Sequence, residues 1–285
     1  VTRIPQWMMS ARVLAGLSVA ALICLAALFA PLLAPHDPNE QTLTSILLPP
    51  AWLPGGQADF PLGTDSLGRC VLSRLLYGAR IAMTVALLSS FGAMVLGAVL
   101  AHVAGYFGGA VDWLIGRVVD IWMSFPPVIL ALIFMVGLGP GLRNVILSII
   151  LVDWTRFCRV LRSEVLIVTR RDYVTAARLL GFSHWRIIAR EIAPATTPLL
   201  ITLASLEMGI AVIVEAILSF VGLSVTADTP AWGQMIADAR LSIYQSSWNL
   251  VFPVLAIFVT VFAFNILGDG LRRTLDVRLA EAQRA

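Results

Sequence analysis

Residues 171–198 read RDYVTAARLLGFSHWRIIAREIAPATTP, a polar, arginine-rich stretch flanked on both sides by apolar runs. Val174, Ala177 and Leu180 fall at helical spacing, so 173–180 reads as a short helix. Gly181 can take the left-handed conformation that ends such a helix. Ser183 is placed to cap a second helix over 184–192, along which Trp185, Ile188 and Ile192 carry an apolar stripe. Pro194 and Pro198 then lead into the next apolar run. Ala176 and Ala177 are small enough to let another protein approach closely. The stretch therefore reads as two short helices meeting at a glycine, held between two apolar segments.

Those segments set the fold class. A helix needs about 20 mostly apolar residues to cross a bilayer. The sequence predicts six such spans, near 11–33, 81–105, 113–138, 144–161, 198–223 and 250–271. Backbone in lipid must satisfy its own hydrogen bonds, which leaves helices or closed barrels. A barrel would alternate polar and apolar residues in short segments, whereas these runs are long and unbroken. The reading is an all-α membrane protein. Composition agrees: of 285 residues 59% are hydrophobic and 13% charged, and mean hydropathy is +0.87. A soluble domain carries about 25% charged residues, so an ordinary soluble enzyme, a disordered chain and a nucleic-acid module are excluded. Cys24, Cys70 and Cys158 form no CxxC or zinc spacing and read as small apolar fillers.

The chain has no lysine; all twenty basic residues are arginine. Arg156, Arg159, Arg162, Arg170, Arg171, Arg178, Arg186 and Arg190 surround one loop, Arg3 and Arg12 precede the first span, and Arg272, Arg273, Arg278 and Arg284 follow the last. Six spans place all three groups on one side, and the positive-inside rule makes that side cytoplasmic. Both termini are expected there. The run 13–33 is too long for a signal-peptide core and reads as an uncleaved first helix. The expected organisation is an N-terminus with the first span at 1–33, a periplasmic loop at 34–78, a core of five spans at 79–271 enclosing the arginine-rich loop at 162–197, and a tail at 272–285. The 34–78 segment is full of turn chemistry, with Pro49-Pro50 and Pro54-Gly55-Gly56, and 72–76 begins a short helix into the second span. Gly92, Gly97 and Gly209 inside spans are expected to allow close helix packing.

The 171–198 stretch resembles the EAA loop of permease subunits of bacterial ABC importers. Thr175-Ala176-Ala177, Gly181 and Pro194 keep that motif's spacing, with Thr175 in place of its Glu. Three further blocks carry the likeness. Gly63-Thr64-Asp65-Ser66-Leu67-Gly68-Arg69, with Ser73-Arg74 and Tyr77-Gly78-Ala79-Arg80, is similar to the family's GTDxLGRDxxSRxxYGxR, with Cys70 at the second Asp. Ser219-Phe220-Val221-Gly222-Leu223 and Thr229-Pro230-Ala231-Trp232-Gly233 are similar to SFLGLG…TPxWG. Phe264-Asn265-Ile266-Leu267-Gly268-Asp269-Gly270-Leu271-Arg272 with Leu275-Asp276 is similar to FNxxGDxLRDxLDP. Together they resemble the second, C-type permease of dipeptide, oligopeptide and nickel importers.

The resemblance implies the ABC importer permease fold, pairing with a second homologous permease as a heterodimer, two cytoplasmic ATP-binding subunits, a periplasmic substrate-binding protein, and alternating access. Peptides are the expected cargo, nickel the alternative, and no cofactor is implied. Thr175, Ala176, Ala177, Leu180, Gly181 and Pro194 become the expected ATPase-coupling residues.

Charged and polar groups within spans are costly and read as functional. Asp153, Glu207, Glu215 and Asn265 are the candidate pathway residues; Glu207 and Glu215, eight apart, share a helix face. Against this, such groups can simply pair with arginines or with a partner subunit, the reading preferred for Asp120 and Asp269 near helix ends. His102 reads as a packing or interface residue, and Asp65 and Arg69 as stabilisers of the turn between them. A rival class is an intramembrane enzyme, but there is no GxSG, and Leu267-Gly268-Asp269 lacks the first glycine of a GxGD element. Without lysine the chain has no P-loop. A simple channel would have no use for the two-helix loop.

Overall fold

The computed structural model describes residues 11–226 and 228–275. Arg3, Asp276, Arg278 and Arg284 lie outside them. Among the described residues the architecture is helical: α1 (Ala11–Leu28), α2 (Ala30–Leu33), α3 (Val71–Phe107), α4 (Gly109–Met123), α5 (Pro127–Leu138), α6 (Leu142–Val168), α7 (Asp172–Leu179), α8 (His184–Ile187), α9 (Ala193–Phe220), α10 (Trp232–Ala239) and α11 (Trp248–Leu275). α3 is the central mast, packing against α6, α9 and α1, while α11 lies between α9 and α1. Close approach of α3 to α6 needs a small residue: a Cβ on Gly97 would sit 2.5 Å from the Trp154 carbonyl oxygen.

Several boundaries differ from those expected. The second span starts ten residues early, because 72–76 is not a separate helix but the first turn of α3. The third span is not one helix. It breaks at Ser124–Pro126 into α4 and α5, which are bent by 88°. Pro126 and Pro127 are the cause: neither can donate the helical N–H, and the residue before a proline is pushed out of the helical region. At 1.5 Å per residue neither half alone reaches the roughly 30 Å of a bilayer core. The fifth span is longer than expected: helical structure runs unbroken over His184–Phe220, 37 residues. Pro194 cannot donate to the Arg190 carbonyl, and the helix answers with a π-turn at Ile188–Ile192 instead of ending. Four described helices are long and apolar enough to cross a membrane, and the bent pair makes a fifth. α6 has the length, 27 residues, but carries Asp153, Arg156, Arg159 and Arg162.

Contacts order the two ends of the bundle. Gly16 and Val13 of α1 meet Leu267 and Gly270 of α11, and Gly268 meets Ser205 and Leu206 of α9. The described chain ends therefore lie at the end of the bundle that carries α7 and α8. At the opposite end, segment 34–70 is tied down by charge. Asp65 Oδ1 accepts the Leu67 and Arg69 backbone N–H groups at 2.9 Å each, and its Oδ2 accepts Arg69 Nε at 2.6 Å. The Asp65–Arg69 turn is thus built as expected. Arg69 also donates to Asp238 of α10 at 3.1 Å, and the fully buried Arg74 lies 3.8 Å from both carboxylates. Asn249 donates to the Thr64 carbonyl at 3.0 Å, and the Trp232 indole N–H to that of Leu75 at 3.0 Å.

Candidate functional site

Two regions hold the chemistry: the 171–198 loop and a buried charged cluster within the bundle. In the loop, α7 ends as the glycine implied. Gly181 has φ +75°, its N–H bonds the Arg178 carbonyl at 3.0 Å, and the Phe182 N–H reaches back to Ala177 at 3.2 Å. This double bond pattern is a Schellman motif, which satisfies carbonyls that a helix end leaves open. Ser183 stands at the cap position of α8, but its side chain makes no capping hydrogen bond. α7 docks through Val174 and Ala177, both buried with Ile187, Ile188 and Ile192. Thr175 and Ala176 face outward, as do Gly181 and Pro194. The Thr175 hydroxyl lies 3.5 Å from the Arg171 carbonyl, turned back on its own helix. Leu179, Leu180 and Trp185 stand out at 85%, 73% and 66% exposure around the glycine turn. Within this apolar knob the Trp185 ring meets Phe107 at 6.0 Å between centroids, and most of the knob's surface stays exposed.

The loop's footing is aromatic and polar. The Tyr106 hydroxyl is 2.9 Å from His184 Nδ1, and the Arg178 guanidinium lies 5.0 Å over the Tyr106 ring. His102, read as a packing or interface residue, is buried, with Nδ1 2.7 Å from the Ala98 carbonyl and Nε2 3.1 Å from the Thr196 hydroxyl. Several of the arginines counted as a topological signal are paired inside the chain. Arg159 bonds Asp120 at 2.6 Å, and Arg162 forks onto both oxygens of Asp112.

The four candidate pathway residues divide. Asp153 and Glu207 are brought together by Arg156, whose Nε is 3.8 Å from Asp153 and whose Nη1 is 3.7 Å from Glu207. Both carboxylates are buried, at 2% and 4% exposure, and Asp153 Oδ2 and Glu207 Oε1 have no hydrogen-bond donor. Arg156 is about a third exposed. Glu215 shares the buried face of α9 but serves another purpose: its Oε1 accepts the Ser219 and Ser224 hydroxyls at 2.5 and 3.1 Å. Asn265 stands on the exposed surface of α11, apart from the others. Sequence reasoning missed Arg156 as a partner. Its i,i+3 spacing from Asp153 was a signal for half of the cluster; Glu207, fifty-one residues on, had none.

Comparison with known proteins resolves the family. Residues 78–281 match the family described as the binding-protein-dependent transport system inner membrane component. The chain belongs to that family. Residues 11–50 of the permease match the N-terminal transmembrane domain of oligopeptide transport permease C. It is 42% identical to the di/tripeptide transport system permease protein DppC of Pseudomonas aeruginosa, over 94% of this chain and 89% of that one. It is 41% identical to the nickel transport system permease protein NikC of Escherichia coli K12, over 93% of each. Its fold is similar to that of an inward-facing MetNI methionine ABC transporter chain, with TM-score 0.59 and 18% identity over 71% of this chain and 96% of that one. The permease is a multi-pass inner-membrane component of a transport system and not an enzyme; in this family ATP hydrolysis belongs to a partner ATPase.

Proposed function

We propose that this permease imports di- and oligopeptides by alternating access, as one half of a heterodimer with a second homologous permease. Two cytoplasmic ATPases drive it, and a periplasmic binding protein supplies the cargo. The observation that carries this reading is the exposed knob of Leu179, Leu180 and Trp185 around the Gly181 turn. Leu179 and Leu180 end α7, and Trp185 across the turn begins a helix that continues without a break into the bundle. An apolar tip of this kind is an interface for another protein. A helix of 37 residues is about 55 Å long, so a push at its tip moves the bundle as a rod. Clamp closure by an ATPase holding that tip biases a two-state bundle.

The topology that goes with this has six spans, taking the α4–α5 pair as one and α6 as another, with both termini cytoplasmic. Chain ends on the same side require an even number of crossings, and the contacts of α1 with α11 support that count. The 34–78 segment is then periplasmic. Thr175, Ala176, Ala177, Leu180, Gly181 and Pro194 form the coupling loop. Asp153 and Glu207, with a free oxygen each, line the route where a peptide ammonium passes. Glu215 is assigned to holding the periplasmic end of α9.

The peptide reading draws on the di/tripeptide and dipeptide permeases among its relatives. The nickel permease at nearly the same identity keeps a second reading open, in which Asp153 and Glu207 would meet a metal cation. The partner binding protein decides between them. Titration with di- to pentapeptides and with Ni²⁺ is expected to give peptide binding; Ni²⁺ binding without peptide binding would replace the peptide reading.

A further inference from the structure

Tyr106 touches both halves of the 171–198 loop and belongs to neither. It lies in the last turn of α3 and is buried. Its hydroxyl meets His184 of α8 at 2.9 Å, while Arg178 of α7 lies over its ring at 5.0 Å. Phe107 beside it packs its ring 5.8 Å from His184 and 6.0 Å from Trp185. One turn of helix thus collects contacts from each side of the Gly181 corner. The same turn is wedged against α6, where a Cβ on Gly105 would sit 2.6 Å from the Val165 side chain.

Immediately after Phe107 the backbone changes character. Gly108 and Gly109 both have positive φ, +65° and +54°, and a Cβ on either would meet nothing within 4 Å. Packing therefore does not require glycine at these two positions; the backbone conformation does. Beyond them α4 is fixed to α6 through the Asp112–Arg162 fork, and its Val119 joins the buried cluster that holds Tyr106, Val174 and Ala177. A displacement of the loop consequently meets an aromatic grip on α3.

We propose that Tyr106 is the positioning residue that passes movement of the coupling loop to α3. This rests on the reading of 171–198 as the ATPase-coupling loop. The hydroxyl–imidazole bond gives the grip direction, and the ring under Arg178 keeps both loop helices moving with α3. α3 is the mast against which α6, α9 and α1 pack, so its displacement reaches most of the bundle.

The test is hydrogen–deuterium exchange on the assembled transporter, with and without ATP, for wild type, Tyr106→Phe, His184→Ala and the double variant. In wild type, ATP is expected to change exchange in both 171–198 and α3. In Tyr106→Phe the change in the loop persists, while the change in α3 shrinks about fivefold, the scale of a typical coupling between sites. His184→Ala gives the same loss, and the double variant is no worse than either. An undiminished ATP effect on α3 in Tyr106→Phe overturns the proposal, as does loss of the assembled complex or simple addition of the two single losses. If the wild-type loop itself does not respond to ATP, the coupling-loop reading fails and takes this proposal with it. A responsive loop with an unaltered α3 removes Tyr106 alone.

Discussion

Arg156 holds two buried carboxylates with one guanidinium, so the cluster it forms with Asp153 and Glu207 keeps an unanswered acceptor on each acid. Burying two acids on one shared guanidinium costs free energy, and in a membrane such groups persist where function needs them. Replacing Glu207 with Gln keeps shape and removes the group that can ionise. Uptake in proteoliposomes is expected to fall about tenfold, the worth of one charge-assisted contact, with subunit assembly intact. Normal uptake kinetics would take Glu207 off the route. Gly181 is a different kind of residue, defined by its backbone. Its φ of +75° costs a side-chain-bearing residue about 1–2 kcal/mol, more with a β-branch. Gly181→Val is expected to turn the knob away and abolish transport together with stimulated ATP hydrolysis; unchanged rates for both would refute the coupling assignment. The glycine was legible from spacing alone, because a helix stop is a local event. The Arg156 cluster was legible only in part, because Asp153 is one turn away from its partner and Glu207 is a helix away.

Among the elements, the two proline sites have opposite outcomes. At 126–127 consecutive prolines follow a residue that they themselves push out of helix, and the chain turns by 88°. At Pro194 a single proline costs one hydrogen bond, which the π-turn at Ile188–Ile192 accommodates by bonding the Ala193 N–H to Ile188. Composition alone reads the first stretch as continuous and the second as a boundary, and both readings reverse in the fold. The π-turn also sets the phase of α8 on α9, since one extra residue in a helix rotates what precedes it by about 100°. Pro194→Ala restores the donor and lets the turn relax to α-helix. His184 and Trp185 would then swing away from Tyr106 and Phe107. The expected result is an assembled permease with at least about fivefold lower uptake per ATP hydrolysed, measured against wild type; an unchanged ratio would show that the phase does not matter.

Taken whole, the molecule has two ends of different make. One carries the apolar knob and the aromatic grip; the other is closed by Asp65, Arg69, Arg74 and Asp238, which bind segment 34–70 to α3 and α10. Removing one member of a buried ion network leaves the others uncompensated. Arg69→Ala is therefore expected to cost about 3 kcal/mol and to lower the thermal unfolding midpoint in detergent; an unshifted midpoint would mean that the network is replaceable by water. Helical class, membrane residence and the glycine corner were all present in the order of residues. Each follows from local pattern: run length and the conformations that glycine permits. Tertiary structure alone decided which arginines are paired within the chain, that Glu207 and Glu215 on one helix face serve different partners, and that the 171–198 loop stands on Tyr106. These are contacts between residues tens of positions apart, and only packing brings their charges and rings within reach of one another.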